Sequence, residues 1–197
     1  MRIKIHDGEP TELCRIAFKY ATDKCPQIAH HYTRYYYQAF KDRQQAVRNV
    51  FEMGIGYPEL MTVSPNYKTG ASLYMWREFF PLAHIHAGDN RPETIFQDNR
   101  IHTYLCDETK RSDLVKVIRR VGPDIDLFVD DASHRPQDQI FLCLNVLPLL
   151  SPDSIYVIED LMDPDMVEKC LGDYDYDRIQ FSHKRYTHER LIVIRNT

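Results

Sequence analysis

Asp124-Ile125-Asp126-Leu127-Phe128-Val129-Asp130-Asp131-Ala132-Ser133-His134 is the stretch on which the fold of this chain turns. A short apolar run with no polar alternation, broken off by two carboxylates, is the pattern of a strand buried on both faces in a parallel sheet. Downstream, 137–150 predicts an apolar helix and 154–158 a second buried strand that stops at Glu159 and Asp160. Upstream, 113–121 predicts an amphipathic helix between strands, while 101–106 and 83–87 predict strands ending at Asp107 and Asp89. Leu73, Trp76, Phe79 and Phe80 give 70–80 a helical spacing, and 47–53 predicts a strand running into Gly54-Ile55-Gly56. Strands alternating with helices at this spacing imply an α/β fold with a mostly parallel central sheet and helices on both faces. The last segment differs: 178–183 and 191–194 flank a polar stretch with no apolar helix, which predicts an antiparallel C-terminal hairpin at the sheet edge.

The 197 residues, 43% of them hydrophobic, suffice for one α/β domain with a core and fall short of two. The expected organisation is a single domain over 1–197, with a Tyr- and His-rich helical cover over 1–45 and the core over 46–197. Twenty-five basic against 29 acidic side chains leave a formal charge of -4, so no general attraction to nucleic acid or acidic membrane is expected. Five cysteines without a CxxC pair fit a reduced chain. The start of the chain lacks the apolar core of a signal peptide, and no run reaches the ~18 apolar residues that cross a bilayer. A cytoplasmic protein without a membrane partner is the expectation.

Ligands of an open parallel sheet bind beyond the carboxyl ends of its strands, where loop amides and helix N-termini converge. Here all five predicted strand ends carry acid: Glu52 with Gly54 and Gly56, Asp89, Asp107, Asp130 with Asp131, and Glu159 with Asp160. So many carboxylates on one rim repel unless a cation or hydrogen-bond donors occupy it. Gly54 and Gly56 let backbone approach a ligand, although a tight turn without ligand fits them too. Asp89 is placed to accept hydrogen bonds from ribose hydroxyls. Asp107 fits either an adenine amino group or a helix N-cap. Asp131, Glu159 and Asp160 are the oxygen donors a hard Mg²⁺ ion takes, and His134, three residues beyond Asp131, is in reach of a hydroxyl bound there as general base.

Thr22-Asp23-Lys24, His31-Tyr32-Thr33, Glu52-Met53-Gly54-Ile55-Gly56, Gly70-Ala71-Ser72-Leu73, Asp130-Asp131-Ala132-Ser133-His134 and Tyr156-Val157-Ile158-Glu159-Asp160-Leu161 together resemble the metal-dependent sugar O-methyltransferases that act on deoxysugars of macrolide antibiotics and their glycan-decorating relatives. The resemblance runs from about Tyr20 to Asp160. It implies a Rossmann-like class I methyltransferase fold, S-adenosylmethionine as donor, Mg²⁺ (or Mn²⁺) held by Asp131, Glu159 and Asp160, and His134 as base with Asp131 beside it. It further implies cofactor contacts from Thr22, Lys24, Glu52, Gly54, Gly56, Ser72, Asp89, Asp107 and Asp130. His31 and Tyr32 would close over the acceptor, although the Tyr-rich helix could equally pack into the core. A sugar or glycan acceptor, rhamnose-like by resemblance, and a homo-oligomer follow. Ala132 and Cys106 stand where the resembled motifs commonly carry glycine. The residues alone leave open a catechol-type methyltransferase, a metal-dependent hydrolase using the same Asp, Glu and His cluster, or a catalytically silent partner-binding module.

Overall fold

The protein is described by a computed structural model over residues 1–182 and 189–196. Its strands are β1 (Arg2–Ile5), β2 (Asn49–Met53), β3 (His84–Asp89), β4 (Gln97–Asp98), β5 (Ile101–Leu105), β6 (Leu127–Asp130), β7 (Ile155–Ile158), β8 (Asp175–Phe181) and β9 (Arg190–Arg195). Its α-helices are α1 (Glu12–Lys19), α2 (Tyr32–Phe40), α3 (Ala71–Phe79), α4 (Arg111–Val121), α5 (Pro136–Val146) and α6 (Pro164–Leu171). The strands form one sheet in the order β1-β8-β9-β7-β6-β2-β3-β5-β4. β5, β3, β2, β6 and β7 run parallel. The strand order therefore reverses between β2 and β6, the place where such sheets open a crevice at their carboxyl ends.

Alternation along each strand builds two cores. Val50, Leu127, Val129 and Val157 face one side and pack with Leu13, Tyr36 and Trp76 of α1, α2 and α3. Phe51, Phe128, Tyr156 and Ile158 face the other and pack with Leu114, Leu142 and Val167 of α4, α5 and α6. Phe51, Phe128 and Tyr156 lie in register on neighbouring strands, their rings stacked at centroid distances of 4.9 and 4.8 Å. This ladder pins the register of the three strands whose ends carry Gly54, Asp131 and Glu159, because a one-residue slip would turn each ring to the opposite face.

The C-terminal hairpin is present as antiparallel β8 and β9, but not at the edge. β9 is inserted against β7, and β1 adds parallel to β8 as the outer strand, Arg2 opposite Arg178 through Ile5 opposite Phe181. The 1–45 segment thus begins with a strand. Ile3 and Ile5 alternate with Arg2 and Lys4, a period-two signal too short to stand out before a helical cover. His183, placed in the predicted hairpin, lies outside the described residues. No helix among the described residues is long and apolar enough to cross a membrane.

Because Phe128 is fully buried between two stacked rings, Phe128→Ala is expected to cost about 3–5 kcal/mol. Urea unfolding measures it; an unchanged midpoint would contradict the ladder's role.

Candidate active site

The carboxyl ends of β2 and β6 can meet this closely because Gly54 has no side chain. At φ +99° a Cβ there would lie 2.0 Å from the carbonyl oxygen of Asp131. With that space open, the Asp131 N–H donates to Met53 O at 2.9 Å and the Glu159 N–H to Asp130 O at 3.0 Å, which aligns the three strand ends. The result is a cavity of about 230 Å³, whose wall includes Thr22, Lys24, Glu52, Gly54, Gly56, Ser72, Asp89, Asp131, His134 and Asp160. Ten of the residues singled out from sequence thus share one cavity, contributed by the N-terminal segment, the turn after β2, the first turn of α3 and the ends of β3, β6 and β7. Asp89 braces the turn: its carboxylate accepts the Ile55 and Arg91 N–H groups, each at 2.9 Å.

Lys24 occupies the centre. Only 2% exposed, its ammonium lies 2.5 Å from Glu159 Oε2, 2.7 Å from Asp131 Oδ2 and 3.3 Å from Glu52 Oε1. Burial opposes its charge, but Asp131, Glu159 and Glu52 outweigh burial and hold the ammonium protonated. Burial likewise pushes the carboxyls of Glu52 and Glu159 upward, with Lys24 pulling them back. Asp131 is different: Lys24 and His134 overcome its burial and hold it ionised well below the usual carboxylate range. The second oxygen of Glu52 accepts the Trp76 indole N–H at 2.6 Å, and Glu159 Oε1 accepts the Tyr36 hydroxyl at 2.6 Å.

His134 Nε2 lies 3.1 Å from Asp131 Oδ1 and 3.8 Å from Asp160 Oδ2. Burial lowers its pKa, but the hydrogen bond to Asp131 and the charges of Asp131, Asp160 and Asp130 raise it to about 9. Both His134 (φ +58°) and Asp160 (φ +49°) adopt the left-handed backbone region. That strain, of order 1 kcal/mol or more per residue, persists where surrounding structure enforces it and is concentrated at functional sites. Ligand atoms from Asp131, His134 and Asp160 lie within 4.8 Å of one another, close enough to share one ion.

Five predicted residues lie elsewhere than on the cavity wall. Glu159 is wholly buried behind it, Asp130 points into the α5 side of the core where burial pushes its carboxyl up to about 8, and Asp107 caps its own loop through Thr109 and Lys110. His31 pairs with Glu189 and with Asp7, at 3.0 and 3.2 Å. Tyr32 is buried with its hydroxyl 2.8 Å from Asp160 Oδ1. Conversely, Glu108, one residue past Asp107, lines the cavity, as do Tyr57 and Arg91, whose guanidinium sits 4.2 Å over the Tyr57 ring. Glu108 was discoverable only as the other acid of a pair; nothing in the sequence separates it from Asp107. Tyr57 lies in the long 56–70 connection, whose length is itself the signal.

A tetracenomycin rhamnosyl 3'-O-methyltransferase of Streptomyces olivaceus (8-demethyl-8-(2-methoxy-alpha-L-rhamnosyl)-tetracenomycin-C 3'-O-methyltransferase) is 32% identical over 166 residues, 81% of this chain and 39% of that protein. Mycinamicin VI 2''-O-methyltransferase of Micromonospora griseorubida is 32% identical over 154 residues, 76% of this chain and 36% of that protein. Its homologues are sugar O-methyltransferases. This chain spans less than two fifths of the length of these sugar O-methyltransferases. No protein-family profile matches it. Among solved structures, the MycE methyltransferase of the mycinamycin biosynthetic pathway, in complex with Mg, SAH and mycinamycin VI, superposes with a TM-score of 0.71 at 23% identity, covering 95% of this chain and 56% of that one. The fold is that of the class I methyltransferases.

Removal of the central cation tests the electrostatics of the site. Lys24→Met leaves the buried carboxylates of Glu52 and Glu159 and the half-buried one of Asp131 without their ammonium and is expected to cost about 3–5 kcal/mol near neutral pH. Glu52 and Glu159 have folded pKa values above their unfolded ones. Their protonated forms favour the fold, a contribution retained at low pH and lost as pH rises through the folded pKa. The deficit of the variant should therefore shrink as pH falls toward the unfolded carboxylate range. Urea midpoints of both proteins across pH measure this; a deficit that grows on acidification would contradict the assignment.

Proposed function

We propose that this chain is an S-adenosylmethionine-dependent O-methyltransferase that methylates a sugar hydroxyl with the help of Mg²⁺ or Mn²⁺. The observation that carries the reading is the convergence of Asp131, His134 and Asp160 on the wall of the cavity that also contains the Gly54–Gly56 turn and Asp89. One wall is suited to a nucleoside and the other to a hydroxyl. Glycine turns admit backbone close to a ligand, and Asp89 at the end of β3 stands where ribose hydroxyls are accepted. The solved relative with SAH and Mg bound shares this fold.

The residues fit a hard divalent ion: Asp131 and Asp160 offer oxygens toward one point, and Glu159, held behind the wall by Lys24 and Tyr36, would join them by sharing one of its engaged oxygens, since each carboxylate oxygen has two lone pairs. Such an ion would supply Lewis acidity to an acceptor hydroxyl. S-adenosylmethionine supplies the electrophilic methyl group. Asp131 and Asp160 orient the acceptor end of the cavity, and Asp131 orients the His134 ring through its 3.1 Å contact. With Nε2–H donated to Asp131, the other ring nitrogen of His134, Nδ1, would carry the lone pair that takes the hydroxyl proton. Asp131, Asp160 and Asp130 raise the His134 pKa, and a cation held by Asp131 and Asp160 would offset them and favour the neutral ring that can act as base. Thr22, Lys24, Glu52 and Ser72 complete the cofactor side.

The acceptor is a sugar or glycan hydroxyl, with a 6-deoxyhexose such as rhamnose the preferred class because curated relatives are named for rhamnosyl acceptors. The enzyme is cytoplasmic and homo-oligomeric in this reading, and the net charge of -4 argues against nucleic acid. Transfer of labelled methyl from S-adenosylmethionine to a rhamnosyl glycoside should require Mg²⁺ or Mn²⁺ and stop with EDTA. His134→Ala should lower turnover about 10²–10⁴-fold with cofactor affinity unchanged. Full turnover in EDTA, or in the variant at saturating acceptor, would contradict the mechanism.

A further inference from the structure

Two tyrosines of the N-terminal cover reach the carboxylates at the end of β7. Tyr32 and Tyr36 are four residues apart in α2 and so share one helix face. The Tyr36 hydroxyl donates to Glu159 Oε1 at 2.6 Å, and the Tyr32 hydroxyl donates to Asp160 Oδ1 at 2.8 Å while facing the Asp160 N–H at 3.3 Å. One turn of helix therefore grips two consecutive acids. Both phenols are fully buried, and burial with the adjacent carboxylates holds them protonated, so each remains a donor. The rings are fixed independently of the hydroxyls: Tyr32 stacks on His30 at 4.9 Å and Tyr36 meets Trp76 edge-on at 4.9 Å.

The consequence is a division of oxygens. Tyr32 engages Asp160 Oδ1, and Oδ2 is the atom toward His134; Lys24 engages Asp131 Oδ2, and Oδ1 is the atom toward His134. Glu159 is gripped on one oxygen by Tyr36 and on the other by Lys24. Asp160 and Glu159 are each held by a tyrosine that does not line the cavity, while Lys24, in its wall, holds Asp131 and Glu159. We propose that Tyr32 and Tyr36 are positioning residues for the divalent cation, orienting Asp160 and Glu159 through their hydroxyls so that metal affinity depends on the seating of α2. The inference rests on the metal-dependent reading above. Outer hydrogen bonds of this kind to ligating groups are typically worth about 10–100-fold in metal affinity.

Tyr32→Phe, Tyr36→Phe and the double variant remove the hydroxyls and keep the rings, with Tyr37→Phe on the same helix as the control. Each protein, stripped with EDTA, is titrated calorimetrically with MnCl₂, and separately with S-adenosylhomocysteine. The expected result is Mn²⁺ affinity weakened about 10–100-fold in the double variant, partial losses in the single ones, and none in Tyr37→Phe, with S-adenosylhomocysteine affinity within about twofold throughout. A purely structural role would lower the melting temperature and weaken both ligands together. Wild-type Mn²⁺ affinity in both single variants would overturn the inference while leaving the metal reading intact. Absence of Mn²⁺ uptake by the wild-type protein would overturn the metal reading, and the inference with it.

Discussion

The ammonium of Lys24 among Glu52, Asp131 and Glu159 is the interaction on which the crevice depends. The parallel topology delivers three carboxylates, from the ends of β2, β6 and β7, into one buried volume. Two like charges 4 Å apart repel by about 4 kcal/mol at an effective dielectric near 20, a cost of gathering ionised strand ends that the Lys24 ammonium offsets. That cation comes from a segment remote in sequence, and the loop carrying it must be seated before the rim is electrically tolerable. The N-terminal cover is for this reason part of the site rather than a lid over it, and α2 reinforces it by placing Tyr32 and Tyr36 against the neighbouring acids.

Around this centre the backbone is specified at few points. Gly54 allows the ends of β2 and β6 to touch, the stacked Phe51, Phe128 and Tyr156 hold the strands in register, and His134 and Asp160 sit in left-handed conformations that the packing enforces. These constraints act on the same three strand ends. Side chains that must meet a small reactive group are thus anchored at the ends of the central strands of the sheet.

The alternation of buried strands with helices made the parallel sheet legible, because burial on both faces leaves near-continuous apolar runs such as Leu127-Phe128-Val129. The strand-end rule likewise marked the residues that line the cavity, since the position of an acid at the end of a strand is a local property. What stayed illegible was pairwise and long-range. Lys24 meets Asp131 and Glu159 across separations of 107 and 135 residues, and no local pattern reveals that an ammonium engages an oxygen of Glu159. Asp107 and Glu108 differ only in which way the chain leaves β5. The outer strand β1 is four residues long, and its partner β8 lies at the far end of the sequence, so only the completed sheet shows why Ile3 and Ile5 alternate.

A nucleoside cofactor and a divalent cation are proposed to share this cavity. Calorimetric titration of S-adenosylhomocysteine with and without Mg²⁺, with Asp89→Ala alongside, tests it most directly because it requires no knowledge of the acceptor. Micromolar binding to the wild-type protein that is lost in Asp89→Ala is the predicted result. No binding under either condition, or equal binding by the variant, would contradict the account.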